Sequence, residues 1–143
     1  MRQARPAHRV LSAWELLARH RVDTNVLCVV NARNVSFPLE IYRYLRDMGM
    51  QFMHFIPVIE RIDRQGALAP PPMPNDDDLV VAPWSVTPKK YGRFLCMIFD
   101  EWVRHDVGRV FVQFFDLQLG IWAGQPASLC VFAETCGSGL DLE

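Results

Sequence analysis

The chain has 143 residues, enough for one compact domain. Half of them are hydrophobic and 22% are charged, a globular composition that argues against intrinsic disorder. The net charge of -1 gives no field that would draw nucleic acid or an anionic membrane, so neither is expected as a partner.

The longest apolar runs, such as Val26-Leu27-Cys28-Val29-Val30, are far too short to span a bilayer. The basic N-terminus is not followed by the apolar stretch of a signal peptide. A cytoplasmic protein is expected, with its four cysteines reduced.

Residues 8–20 read as a helix, with Val10, Leu11, Trp14, Leu17 and Ala18 on one face, and a packing role suffices for it. Asn25 to Val30 is a β-branched and aliphatic run, of the kind found in strands covered on both faces. Asn31-Ala32-Arg33-Asn34 is a polar loop at the carboxyl end of that strand, where α/β folds bind ligands. A plain connection to the next helix is the favoured reading, since every strand in such a fold has one. Pro38 to Met48 is the second helix, opened by proline and stopped by Gly49. Gln51 to Val58 is the second strand, breaking at Pro57, and the helical crossover implies parallel pairing with the first.

Residues 60–86 are rich in proline and acid and read as a long loop. Asp76, Asp77 and Asp78 lack the glycine and distal glutamate of a calcium loop, which favours a solvated turn. Thr87 as N-cap and Pro88 at the first position open the strongest helix. Its Tyr91, Phe94, Leu95, Ile98, Phe99, Trp102 and Val103 form one apolar face, and Gly108 ends it. Val110 to Asp116 then reads as a strand ending in an acid, followed by a short amphipathic segment to Gln125. No strand is followed by a glycine-rich phosphate loop.

Cys28 and Cys96 read as small buried hydrophobes within a strand and a helix. Cys130 and Cys136 lie in the irregular tail beside Gly137-Ser138-Gly139. Zinc or an iron–sulfur cluster needs about four ligands, so the pair supplies half a site, and structural or free cysteines are the better reading of the pair alone. The four histidines are scattered, and no serine sits in a nucleophile-elbow context. Asp116 is either a polar site residue or a solvated strand end. No residue is assigned a catalytic role.

Four stretches, VDTNVLCVVNARN, PLEIYRYLRDMGMQFMHFIPVIE, YGRFLCMIFDEWVRHDVGRVFVQFFD and SLCVFAETCG, together resemble the anaerobic sulfatase-maturating enzymes. These are radical S-adenosylmethionine proteins with a C-terminal SPASM extension. The resemblance implies an α/β fold: the second half of a partial radical-SAM-type parallel β/α barrel over residues 1–125. The start of a SPASM-like extension would follow over residues 126–143, as an irregular cysteine-containing tail.

It implies the oxidation of a sulfatase cysteine or serine to formylglycine, with 4Fe–4S clusters and S-adenosylmethionine as cofactors and a sulfatase polypeptide as substrate. On the same pattern Cys130 and Cys136 match two ligands of an auxiliary cluster. The strand around Met53 matches the one whose backbone lies against the adenosyl group. The radical-cluster motif CxxxCxxC does not occur in the 143 residues, and His54 stands where the family more often has glutamine. The expectation is a maturase fragment, inactive alone. The alternative is a non-catalytic binding module, or a split-gene product that complements a separate N-terminal half chain. Cys130 and Cys136 pairing across two copies to bridge a metal is a third.

Overall fold

The computed structural model describes residues 6–69, 80–127, 129 and 132. Helix α1 (Pro6–Arg19) leads into strand β1 (Val26–Val30) and a short 3₁₀ turn (Asn34–Ser36). Helix α2 (Pro38–Asp47) and strand β2 (Phe52–Pro57) follow. Two short strands, β3 (Arg61–Ile62) and β4 (Val80–Val81), pair antiparallel. Helix α3 (Pro88–His105), strand β5 (Phe111–Val112) and helix α4 (Gln113–Trp122) complete the order.

The expected parallel sheet is present, in the order β1-β2-β5. Val26 lies opposite Met53, Cys28 opposite Phe55 and Val30 opposite Pro57. Phe52 lies opposite Phe111, and Met53 opposite Val112. Because side chains alternate along a strand, this register sorts the sheet into two faces. Val30, Met53, Phe55 and Val112 are buried, and they share one core cluster with Tyr42 of α2 and Phe94, Ile98 and Trp102 of α3. Burying each such side chain contributes about 1.5–3 kcal/mol. Leu27, Val29, Phe52 and Phe111 point the other way and stay exposed, Leu27 at 60% and Val29 at 51%. The reading of β1 as covered on both faces therefore fails among the described residues.

The expected strand from Val110 to Asp116 is corrected. Only Phe111 and Val112 are extended, and α4 begins at Gln113. A strand would send Phe114 and Phe115 to opposite faces. The helix instead carries Phe115 and Leu119, one turn apart, onto the core. Phe115 meets Phe99 edge-on at 5.3 Å and Trp102 at 5.3 Å. These aromatic contacts outweigh the strand preference of a short β-branched and aromatic run.

Smaller differences have similar causes. Of the apolar face expected on α1, Leu11 and Trp14 pack against the core, whereas Val10 and Leu17 are exposed. Trp14 reaches Gly49, whose φ of +83° stops α2, and a Cβ there would lie 3.7 Å from the indole. Thr87 is the N-cap of α3 by position, but its side chain makes no capping hydrogen bond. Val103 is exposed rather than part of the buried α3 face. The loop over 60–86 is structured at its ends by β3 and β4, and Asp63 Oδ1 accepts from the N–H groups of Gln65 and Ala67, each at 2.9 Å. Asp76, Asp77 and Asp78 lie outside the described residues.

Candidate functional site

The carboxyl ends of β1 and β2 carry a pinned polar rim. Asn31 Oδ1 accepts from the N–H groups of Arg33 at 2.9 Å and Asn34 at 3.1 Å. Asn34 Oδ1 in return accepts from the Asn31 N–H at 2.8 Å, and Asn34 Nδ2 donates to the Val29 carbonyl at 2.8 Å. The two asparagines thus take up backbone groups that leave the strand ladder, a role their side chains suit.

The segment after β4 straps across the same end. The Ala32 N–H donates to the Trp84 carbonyl at 2.9 Å, and the Val86 N–H to the Val58 carbonyl at 3.0 Å. Ser85 Oγ accepts from the Glu60 N–H at 2.9 Å. The Trp84 indole N–H donates to Glu60 Oε2, and Trp84 stays 41% exposed. With the Asn31 and Asn34 oxygens taken up by backbone N–H groups, the rim offers the Glu60 carboxylate and the flat, part-exposed Trp84 ring to a small polar molecule.

A second concave feature lies beside α4. Gln113, Asp116, Leu117 and Gly120 recur at helical spacing along one face of α4, and with Phe52 and Phe111 they line a cavity of about 450 Å³. The Phe52 and Phe111 rings stack at 5.0 Å with an interplanar angle of 11°. Gln113 Oε1 and Asp116 Oδ2 are buried without a hydrogen-bond partner. Burial raises the Asp116 carboxyl above the ordinary carboxylate range, and hydrogen bonds from the backbone of Val112 and of Asp116 act against the rise.

On the opposite side of the helices, α2 and α3 are joined by charge. Glu101 accepts from Arg43 at 2.6 Å and from Arg46 at 3.1 Å, which holds its carboxyl below the ordinary range, the Arg43 hydrogen bond being the largest cause. This network ties the two helices together, and Arg43 and Glu101 also line a shallow cavity of about 380 Å³ with Asp100, Arg104 and His105.

The residues expected from sequence fall out as follows. Met53 is 1% exposed and its side chain belongs to the core, leaving only its backbone for a ligand. Cys130 and Cys136 lie outside the described residues. Asp116 is in the first turn of α4, not at a strand end. Cys28 is half-buried, and burial raises its thiol. Cys96 is exposed, contrary to expectation, because it lies on the side of the α3 wheel opposite the core positions Phe94 and Ile98. Among the described residues no group of three or more His, Cys, Asp or Glu is placed to hold a metal ion. They do not fit an iron–sulfur cluster, which takes about four thiolates. Glu60, Trp84, Ser85 and Gln113 were not singled out in the sequence. The Asn31–Asn34 loop was legible from its place after a strand, whereas the Glu60–Trp84 bond spans 24 residues and carries no local signal.

Among the described residues, no helix is long and apolar enough to cross a membrane. No family model matches the sequence. The chain is 36% identical over 130 residues to the serine-type anaerobic sulfatase-maturating enzyme of Bacteroides thetaiotaomicron, covering 90% of the chain and 31% of that protein. It is 29% identical over 138 residues to the cysteine-type anaerobic sulfatase-maturating enzyme of Clostridium novyi, covering 95% of the chain and 33% of that protein. The solved structure of native anSMEcpe with bound AdoMet and Cp18Cys peptide superposes with a TM-score of 0.64 at 26% identity, over 86% of the chain and 31% of that structure. The chain thus spans about a third of the length of the relatives it matches. With its parallel sheet and flanking helices it has a partial radical-SAM-type α/β fold. By sequence and fold together, the chain belongs to the family of anaerobic sulfatase-maturating enzymes.

Proposed function

We propose that the chain is part of a radical S-adenosylmethionine sulfatase maturase, whose whole form oxidises a sulfatase cysteine or serine to formylglycine, and that these 143 residues are inactive alone. The observation that carries the reading is the identity to the Bacteroides enzyme across 90% of the chain. The inactivity rests on the ligand count: the four cysteines are Cys28, Cys96, Cys130 and Cys136, and none are spaced as CxxxCxxC. On this reading residues 1–125 belong to the barrel and 126–143 to the extension. Cys130 and Cys136 serve a 4Fe–4S cluster completed by other cysteines. The backbone at Met53 lies against S-adenosylmethionine, a sulfatase polypeptide is the substrate, and the setting is cytoplasmic.

A second reading, complementation by a separate N-terminal half chain, is favoured by the exposed apolar sheet face of Leu27, Val29, Phe52 and Phe111. A covered barrel would bury such a face. One anaerobic experiment tests both. The chain is incubated with S-adenosylmethionine, reductant and a cysteine- or serine-type sulfatase peptide, with and without a co-expressed polypeptide carrying CxxxCxxC. Mass spectrometry reads formylglycine. Product from the chain alone would overturn the inactivity. Product only with the second polypeptide, and co-purification of the two, supports complementation.

A further inference from the structure

We propose that the cavity beside α4 binds a guanidinium group, which donates to Gln113 Oε1 and Asp116 Oδ2 and stacks on the Phe52–Phe111 pair. Four observations meet here. Among the described residues, the two buried side-chain oxygens without a partner are both acceptors, so the missing partner is a donor. Both belong to residues that line one cavity, of about 450 Å³, large enough for a side chain or a small molecule. No Lys, Arg or His among the described residues lines that cavity, so no cation of the described chain fills the role. The stacked rings of Phe52 and Phe111 offer a flat aromatic surface, 43% and 38% exposed.

These features select among donors. A neutral donor would leave the Asp116 charge uncompensated, so a cation is preferred. An ammonium is compact and strongly hydrated, whereas a guanidinium is planar, carries several N–H groups in a fixed fork and stacks on aromatic rings. Gly120 lines the same cavity and lets the Gln125 side chain, another lining residue, approach α4, since a Cβ there would meet Gln125 Oε1 at 3.1 Å. Asp116 stands in the first turn of α4, so its charge also offsets the helix dipole that would otherwise repel a cation. Engaging the ligand ends the unpaired state of both oxygens.

The 143-residue chain is titrated by calorimetry with N-acetylarginine amide, with butylammonium, and with a short peptide carrying a central arginine. The expected result is saturable binding of N-acetylarginine amide, about tenfold or more tighter than butylammonium, and weakened about tenfold or more by Asp116→Asn. Tighter binding of the peptide identifies a peptide side chain as the source. Equal or weaker binding identifies a free small molecule. Gln113→Leu serves as the second variant, expected to weaken binding independently of the Asp116 charge, with circular dichroism as the check that both variants fold. Absence of binding by both guanidinium probes, equal binding by butylammonium, or undiminished binding by folded variants would overturn the proposal. Activity of the whole maturase is not read in this experiment, so its outcome is separate from that of the proposed function.

Discussion

The Tyr42 phenol donates a 2.7 Å hydrogen bond to Asp106 Oδ2, joining α2 to the turn after α3 across 64 residues of sequence. Both residues are buried, Tyr42 fully and Asp106 to within 4%. Arg46 adds a weaker contact to the same oxygen at 3.3 Å. The bond fixes how α2 sits on α3, and through them how the sheet packs behind its exposed face.

Removing the phenol oxygen in Tyr42→Phe should leave Asp106 short of its main donor inside the core. The expected loss is about 1–3 kcal/mol in urea unfolding of the chain. Burial, with the Asp106 hydrogen bond next, raises the Tyr42 phenol above its ordinary value. Its contribution is therefore whole below the unfolded value near pH 10 and declines as pH rises beyond it. The gap between wild type and variant should narrow in strongly alkaline buffer. A gap that widens there would be the wrong sign.

Trp102 is fully buried and its indole donates to the Val110 carbonyl at 2.7 Å, just before β5. Trp102→Phe removes that donor and leaves unfilled volume against Phe99 and Phe115. A loss of about 2–4 kcal/mol is expected from the hydrogen bond and the void together. Chemical denaturation measures it, with near-ultraviolet circular dichroism reporting the loosened aromatic cluster.

Asp116 has the opposite pH sign from a salt-bridged carboxylate. Its folded value is raised by burial, so its contribution is whole below the unfolded value near pH 4 and is lost as pH rises through the folded one. Asp116→Asn should therefore stabilise the chain at neutral pH and make no difference near pH 3. Thermal melts across pH 3 to 8 read this directly, and equal melting temperatures throughout would contradict it.

Glu101 behaves conversely. Its folded value is lowered, chiefly by the Arg43 hydrogen bond. The stability it gives is present above the unfolded value near pH 4 and falls away as pH drops through the folded value. Glu101→Gln should lower the melting temperature at pH 7 and in low salt, with the difference shrinking in acid and in high salt.

The sheet face of Leu27, Val29, Phe52 and Phe111 should make the isolated chain bind a hydrophobic dye and self-associate. Leu27→Ser with Val29→Ser should reduce both, at little cost to the fold, since neither residue belongs to the core cluster. Dye fluorescence and sedimentation velocity are the readouts. Unchanged association in the double variant would show that another surface is responsible.

Sequence by itself determined the parallel β/α order, the core face of α3 and the position of the Asn31–Asn34 loop. These follow from periodicity, from caps such as Pro38 and Gly49, and from the rule that a helix between two strands makes them parallel. Family membership was legible for the same reason, since it resides in those stretches. Tertiary structure alone decided the rest. Whether Gln113 to Asp116 coils or extends depends on Phe99 and Trp102, which meet Phe115 from a different element. Which side of β1 is covered depends on what packs there, because alternation marks two faces without saying which finds a partner. The Glu60–Trp84 bond and the cavity beside α4 join residues far apart in the chain, and local chemistry holds no record of such meetings until the core brings them together.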